Sequence, residues 1–186
     1  MPNPTSSDTE YYSSLKVKAR TKGMVSEADK VTAEPGEEFS LFIDVTLHPG
    51  SDNRYKNSVY KLFVLLPSDF TKISVGNSED EDFSVPASSS WTGAVGTPGL
   101  TPEWDMSDES TYRNWLLATW PVTEVILKNA KVNVSLPIDM GWTIKVKIDE
   151  KYDVKLTADI DATLFVSQDG VTKNRLDASA SITFIS

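Results

Sequence analysis

The stretch that decides the fold is Tyr152-Asp-Val-Lys-Leu-Thr-Ala-Asp-Ile-Asp-Ala-Thr-Leu-Phe-Val166. Every second residue in it is apolar, which places eight side chains on one face: Tyr152, Val154, Leu156, Ala158, Ile160, Ala162, Leu164 and Val166. A period of two over this length is typical of a β-strand with one face in a core and the other in water. The stretch therefore predicts one long, half-buried strand.

The segments around this stretch alternate in the same way. After the turn signal Gln168-Asp-Gly170, apolar residues alternate over 176–184, and before the stretch they alternate over 130–136 and 142–148. Consecutive alternating segments joined by short turns are typical of antiparallel sheets with one dry face. We expect these four strands to form an antiparallel meander.

The N-terminal half predicts further strands at 15–20, 39–47, 59–66 and 71–75. The third of these is an almost unbroken apolar run stopped by Pro67, which indicates burial on both faces. The chain then contains seven to nine strands and no strand–helix–strand repeat. This pattern predicts an all-β protein, a two-sheet antiparallel sandwich of the jelly-roll or Ig-like type.

At most one short helix is expected, over 109–119. Asp108 can cap its first turn, and Pro121 can end it. The residues at helical spacing are Tyr112, Trp115, Leu116 and Thr119. The stretch 114–122 also fits a strand, so both interpretations remain open at this point.

Two regions stand apart from the strands. Residues 1–14 are rich in Ser, Thr, Pro and Asn, which predicts a flexible N-terminal arm. Residues 76–110 hold an acidic run, a serine run and clustered Gly and Pro, which predicts a long loop region. The expected organisation is therefore an arm followed by a single β-sandwich domain, 15–186.

Composition excludes several classes of function. Acidic residues number 27 against 18 basic ones, and the net charge of -9 opposes binding to nucleic acid or to anionic membranes. The absence of cysteine excludes disulfides, thiolate nucleophiles and cysteine-ligated metals. No run approaches the ~18 apolar residues of a transmembrane helix. The start is polar and acidic, so we expect either use without Sec export or a trimmed leader.

No set of residues is typical of a catalytic site. His48, the only histidine, lies beside a turn, and no Gly-x-Ser-x-Gly elbow accompanies it. The acidic run 79–82 lacks the spacing of a calcium loop. Asp153, Asp159 and Asp161 fall on the polar face of the long strand, where carboxylates keep a sheet solvated. We therefore expect a protein that is not an enzyme and has no cofactor or metal.

Aromatic residues outside the strands are the candidates for partner contacts. Tyr11 and Tyr12 lie in the arm, and Trp91 and Trp104 lie in the loop region. Exposed aromatic rings anchor protein partners and also stack on sugars. A protein partner is expected at these residues, and carbohydrate is possible.

Two resemblances extend this interpretation. The segment Glu34-Pro-Gly-Glu-Glu-Phe-Ser-Leu-Phe-Ile-Asp-Val-Thr-Leu47, followed by 59–66 and Pro67-Ser-Asp-Phe70, resembles the opening of Ig-like modules in prokaryotic surface proteins. The whole architecture resembles single jelly-roll capsid proteins of tailless icosahedral prokaryotic viruses. It shares with them a short polar arm, no leader, no cysteine and one β domain that ends in long strands.

The capsid resemblance implies a structural virion protein that assembles with copies of itself or with another coat protein. The other resemblance implies an extracellular Ig-like adhesion, pilus or surface-layer module at the cell surface. A carbohydrate-binding module that uses Trp91 and Trp104 is a third alternative. We expect the virion function first, since a surface module normally carries a leader, an anchor or neighbouring domains.

Overall fold

The computed structural model describes residues 13–47, 58–67, 70–77, 79–80, 83–84, 115–121, 138–150, 157–168 and 170–184. Within these residues the strands are β1 (Ser13–Arg20), β2 (Lys30–Ala33), β3 (Glu38–Leu47), β4 (Ser58–Leu65), β5 (Phe70–Asn77), β6 (Glu79–Asp80), β7 (Phe83–Ser84), β8 (Leu116–Pro121), β9 (Ile138–Ile148), β10 (Thr157–Gln168) and β11 (Val171–Phe184). Strand β1 starts two residues inside the predicted arm. Residues 1–12 lie outside the described part of the chain.

Nine of these strands form two sheets. Their strand orders are β1-β3-β9-β5 and β2-β11-β10-β4-β8, and β6 pairs with β7 as a short hairpin. All the pairings are antiparallel except that of β2 with β11. The predicted all-β, two-sheet antiparallel sandwich is confirmed.

The strand order is that of an Ig-like domain. Strands β1, β3, β9 and β5 occupy the places of A, B, E and D, while β4, β10 and β11 occupy those of C, F and G. Strand β2 is a short extra strand between A and B that crosses to the second sheet. Strand β8 lies in the connection between D and E and adds to the edge beside C. Of the two sandwich types left open by the sequence, the strand order therefore selects the Ig-like one.

Of the two interpretations left open for 114–122, the strand is confirmed and the helix is wrong over the residues that the structure describes. Leu116–Pro121 is strand β8, and it pairs antiparallel with β4. Strand β4 is buried, so its backbone N–H and C=O groups on that edge need partners, and a strand supplies them where a helix cannot. Residues 109–114 lie outside the described residues.

The predicted four-strand meander is wrong in its sheet assignment. Strands β10 and β11 do form an antiparallel hairpin, but β9 joins the other sheet, between β3 and β5. Alternation tells which face of a strand is buried, and both sheets of a sandwich bury the same kind of face. The fourth expected strand, 130–136, falls outside the described residues.

The core lies between the sheets. Trp142, Ile144 and Val146 of β9 are fully buried and face Ile160, Leu164 and their neighbours from the second sheet. Phe70 packs edge-on against Phe39 of its own sheet and Phe184 of the other, with ring centroids 5.9 and 6.1 Å away. These rings join the first sheet to the last described strand.

The middle of the second sheet is buried on both faces. On β4, Leu62 and Val64 point into the sandwich while Phe63 and Leu65 point outward, and all four are buried. This confirms the double burial predicted from the apolar run. On β10, outward-pointing Phe165 is also buried and packs edge-on against Phe63, at 5.6 Å between centroids. The expected polar outer face of β10 is therefore confined to its first half.

Gly36 holds the turn between β2 and β3 in a left-handed conformation, with φ of +82°, and a Cβ added there would lie 3.0 Å from Cγ of Glu150. We expect Gly36→Ala to lower the free energy of unfolding by about 2 kcal/mol. The matched control is Gly170→Ala, at φ of +79°, where an added Cβ meets no atom within 4 Å. There we expect a loss of about 1 kcal/mol. Urea unfolding measures both, and equal losses would show that the Glu150 contact is unimportant.

Candidate functional surfaces

Many charged side chains of the described residues lie on the outer faces of the two sheets. Among these residues, no three His, Asp or Glu side chains are close enough together to hold a metal ion. No helix that they form is long and apolar enough to cross a bilayer. The two outer faces carry rows of charge, and the rows differ in sign.

An acidic row lies on the outer face of the β10–β11 hairpin. It consists of Asp159 and Asp161 on β10 and Asp177 on β11, brought together by the register of the pair. Ser181 Oγ donates to Asp159 Oδ1 at 2.6 Å, and Thr163 Oγ1 donates to Asp177 Oδ1 at 2.7 Å. Two of the three carboxylates are therefore hydrogen-bonded across the hairpin.

Asp161 occupies the middle of this row. Partial burial, followed by the negative charges of Asp159 and Asp177, raises the pKa of its carboxyl from the ordinary 3.8 to about 6. Its neighbours across the pairs are Ser179 on β11 and Leu65 on β4, which bring no positive charge. The ionised form of Asp161 is thus less stable in the folded protein than in the unfolded chain.

The raised pKa predicts that stability falls as the pH rises from about 4 to about 6, because the folded protein binds more protons than the unfolded chain in that window. We expect Asp161→Asn to remove this fall. After allowance for its partial exposure to solvent, the variant should gain about 1 kcal/mol at pH 7 and nothing at pH 4. Urea unfolding at the two pH values measures the difference. Asp29→Asn, an exposed carboxylate just before β2, is the control, and an identical pH profile for both variants would contradict the assignment.

Arg175 neutralises one end of the acidic row. Its Nε lies 3.1 Å from Oδ1 of Asp177, and its guanidinium lies over the Phe165 ring at 5.8 Å from the centroid. The side chain of Asp177 is 56% exposed, so the ion pair contributes little to stability. Its effect is to hold a positive and a negative group side by side on the last strand.

A basic row lies on the outer face of the first sheet. Lys16, Lys18 and Arg20 alternate along β1 with inward-pointing Val17 and Ala19. The Arg20 guanidinium lies over the Phe42 ring of β3, at 5.3 Å from the centroid. This row lies on the sheet opposite the acidic row.

The basic row borders two carboxylates. Asp44 of β3 pairs with Lys16, and Thr46 Oγ1 donates to Asp139 Oδ1 across to β9 at 2.7 Å. Partial burial and the charge of Glu27 raise the pKa of Asp44, although Lys18 opposes the shift. The first sheet therefore carries mixed charge on a polar face, with three of its cations along the β1 edge and others, Lys145 and Lys147, on β9.

The structure brings together only part of the predicted site. Asp159 and Asp161 lie on the outer face as expected, while Asp153 is outside the described residues. So are His48 and the four aromatic residues expected to contact partners: Tyr11, Tyr12, Trp91 and Trp104. Glu79 and Asp80 form β6, opposite Ser84 and Phe83 of β7.

Sequence reasoning missed the contribution of β11 to the acidic row. The Gln168-Asp-Gly170 turn was a usable signal, because a tight hairpin fixes which residues face each other. An extra residue shifts that register, however. Val166 pairs with Asn174 and Ser167 with Thr172, so Lys173 is left as a bulge. If the pairing is counted from the turn and the bulge is ignored, Asp177 is assigned a partner on β10 that is one residue away from its true partner.

Searches by sequence found no matching protein-family model and no similar curated protein. The fold is similar to that of BcpA, the major pilin subunit of Bacillus cereus, with a TM-score of 0.54 and 10% identity over 92% of this chain. A variant of that pilin matches with a TM-score of 0.56 and 10% identity over 94%. A C-terminal fragment of a major pilin of Streptococcus agalactiae matches with a TM-score of 0.51 and 12% identity over 91%.

This chain spans only part of the proteins it resembles. The matches cover 40%, 41% and 56% of those three chains. At such low identity the likeness concerns the fold. It agrees with the resemblance of the 34–70 region to Ig-like modules of prokaryotic surface proteins.

Proposed function

We propose that the chain is a structural module of a bacterial cell-surface protein, of the kind that builds pili or adhesin stalks. The observation that carries this proposal is the Ig-like strand order, in a fold that is similar over 92% of the chain to that of a major pilin subunit. The module acts as a rigid unit and not as an enzyme. Its partners are copies of itself or other surface proteins.

The arrangement of the polar side chains supports a non-enzymatic role. Asp159 and Asp177 are hydrogen-bonded within the hairpin, and Asp177 is also paired with Arg175. Such groups keep a sheet face solvated and in register, whereas catalytic carboxylates have to be directed at a substrate.

A cell-surface role replaces the virion role expected from the sequence. The virion expectation was inferred from a jelly-roll architecture, and the strand order is the Ig-like one. The runner-up of the sequence analysis, an extracellular Ig-like pilus or adhesion module, is therefore the better function. The contacts proposed for partners remain Tyr11, Tyr12, Trp91 and Trp104, and carbohydrate remains a possible ligand of the two tryptophans.

Immunogold electron microscopy on intact cells of the source organism tests this proposal. Antibodies raised against the purified chain should label the outside of unpermeabilised cells or fibres that extend from them. An antibody against a cytosolic protein is the control for intact envelopes. Label found only after permeabilisation, or in released closed particles of uniform size, would contradict the surface role.

A further inference from the structure

The loop between β1 and β2 is closed on a methionine side chain. Met24 N–H donates to the carbonyl oxygen of Thr21 at 3.2 Å, which forms a turn. The same two residues are joined again through the sulfur, because Thr21 N–H and Thr21 Oγ1 both donate to Met24 Sδ, at 3.4 and 3.2 Å. A thioether sulfur is a weak acceptor, and here it receives two donors from one residue. The sulfur therefore helps to hold the turn 21–24 closed.

Met24 lies between the core and the solvent. Its side chain packs against the hydrophobic core and is half-buried. Thr21 is buried, at 5% exposure, whereas Gly23 and Val25 on either side of Met24 are exposed. Oxidation of methionine sulfur depends on its exposure. The sulfur that holds the turn is therefore within reach of a small oxidant in solution.

The turn lies where the chain passes from one sheet to the other. Ala19 and Ala28 exchange two backbone hydrogen bonds across the loop, at 2.8 and 2.9 Å. The carbonyl of Asp29 then accepts from Ser181 N–H at 2.8 Å, and β2 follows directly on the second sheet. A loosened turn therefore loosens the segment that brings β2 to β11.

We propose that Met24 is a site of reversible oxidation by a peroxide, and that its oxidation loosens the segment leading to β2. A sulfur lone pair attacks an oxygen of hydrogen peroxide, the O–O bond breaks, an S–O bond forms and water leaves. The sulfur is oxidised by two electrons and the peroxide is reduced. The lone pair that becomes the S–O bond no longer accepts from Thr21, and a polar sulfoxide replaces the thioether against the core. The chain has no cysteine, so no thiol competes for the oxidant. This site does not depend on the proposed surface function.

The rate of oxidation at Met24 is the first test. Met140 is the internal control, because it belongs to the same chain and is 1% exposed. When the folded protein is treated briefly with hydrogen peroxide, we expect the sulfoxide to form at least about ten times faster at Met24 than at Met140. Peptide mass spectrometry measures each methionine separately. Equal rates at the two positions would overturn the proposal, because the Met24 sulfur would then not be reached in the folded protein.

The melting temperature gives the second test. Met24→Leu conserves volume, cannot be oxidised at this position and keeps the other three methionines. We expect peroxide to lower the melting temperature of the unaltered protein by about 2–4 °C more than that of Met24→Leu. Methionine sulfoxide reductases for both sulfoxide epimers should then restore the unaltered protein. An equal fall in the two proteins, or a fall that the reductases do not reverse, would overturn the proposal.

Hydrogen exchange and a Thr21 variant locate the effect. After oxidation the amides of Ala19 and Ala28 should exchange at least about ten times faster, while the amides of β10 keep their rates. Thr21→Val removes the hydroxyl donor and keeps the branched shape. Its fall in melting temperature on oxidation should be about half that of the unaltered protein, because one hydrogen bond to the sulfur is already absent. Unchanged exchange at Ala19 and Ala28, or an equal fall in Thr21→Val, would show that the turn does not respond to the sulfur and would overturn the proposal.

Discussion

Replacing Trp142 by alanine is expected to lower the free energy of unfolding by about 3–5 kcal/mol. Trp142 lies in the middle of β9, between Ile43 of β3 and Asn77 of β5, and it is 1% exposed. It is among the largest side chains that are fully buried. Its removal leaves a cavity at the centre of the sandwich, which the two rigid sheets cannot close.

The adjacent residue provides the control for Trp142. Thr143 lies on the same strand but points outward and is exposed. Thr143→Ala should change the free energy of unfolding by no more than about 0.5 kcal/mol. Guanidinium unfolding followed by circular dichroism measures both variants. If Trp142→Ala is unfolded in buffer, Trp142→Phe gives a measurable intermediate loss, and a loss no greater than that of Thr143→Ala would contradict the central position of the indole.

Phe70→Ala is expected to cost about 3–5 kcal/mol as well, for a different reason. Phe70 begins edge strand β5, is fully buried and contacts Phe39 and Phe184 edge-on. Its ring therefore ties an edge strand of one sheet to the end of the last strand of the other. The variant loses the burial of one ring and both aromatic contacts.

A double-mutant cycle separates the aromatic contact from simple burial. Phe70→Leu and Phe184→Leu, alone and together, should show a coupling of about 0.5–1.5 kcal/mol. Thr71→Ala, the exposed neighbour, serves as the control for effects on the strand itself. Additive losses from the two leucine variants would mean that the Phe70 and Phe184 rings do not interact across the sheets.

Alternation was a sound guide to single strands. Ala158, Ile160, Ala162, Leu164 and Val166 are all buried on one face of β10, as the decisive stretch predicted. The run at β4 likewise proved to be buried on both faces. On β10 the period of two is a direct consequence of the pleat, and on β4 the unbroken run reflects burial of both faces.

Alternation could not predict how the strands assemble into sheets. Strand β2 has two inward residues, Val31 and Ala33, and so short a pattern does not differ from chance. The burial of Phe165 on the outer face depends on Phe63, which is about a hundred residues away in the chain. Such long-range contacts leave no period in the local sequence.

Only part of the acidic row could be predicted from the sequence. Asp159 and Asp161 share a strand face whatever the fold, whereas Asp177 joins them through a hairpin register that contains a bulge. The aromatic residues proposed as partner contacts stay untested predictions.

The parallel pairing of β2 with β11 has a mechanical consequence. Tension that enters from residues before Ser13 is carried first by β1 and its pairing with β3, and it reaches the N-terminal end of β2 once β1 separates. Tension from residues after Phe184 acts on β11 at its C-terminal end. In a parallel pair these ends are opposite, so a pulling force slides the two strands along each other and loads all the evenly spaced hydrogen bonds of Ser181–Phe184 together. An antiparallel pair pulled from adjacent ends would open one bond at a time. Resistance to stretching depends on the rate of forced unfolding, and this four-residue pair is a barrier within the second sheet that a force along the chain has to shear after β1 has separated from β3.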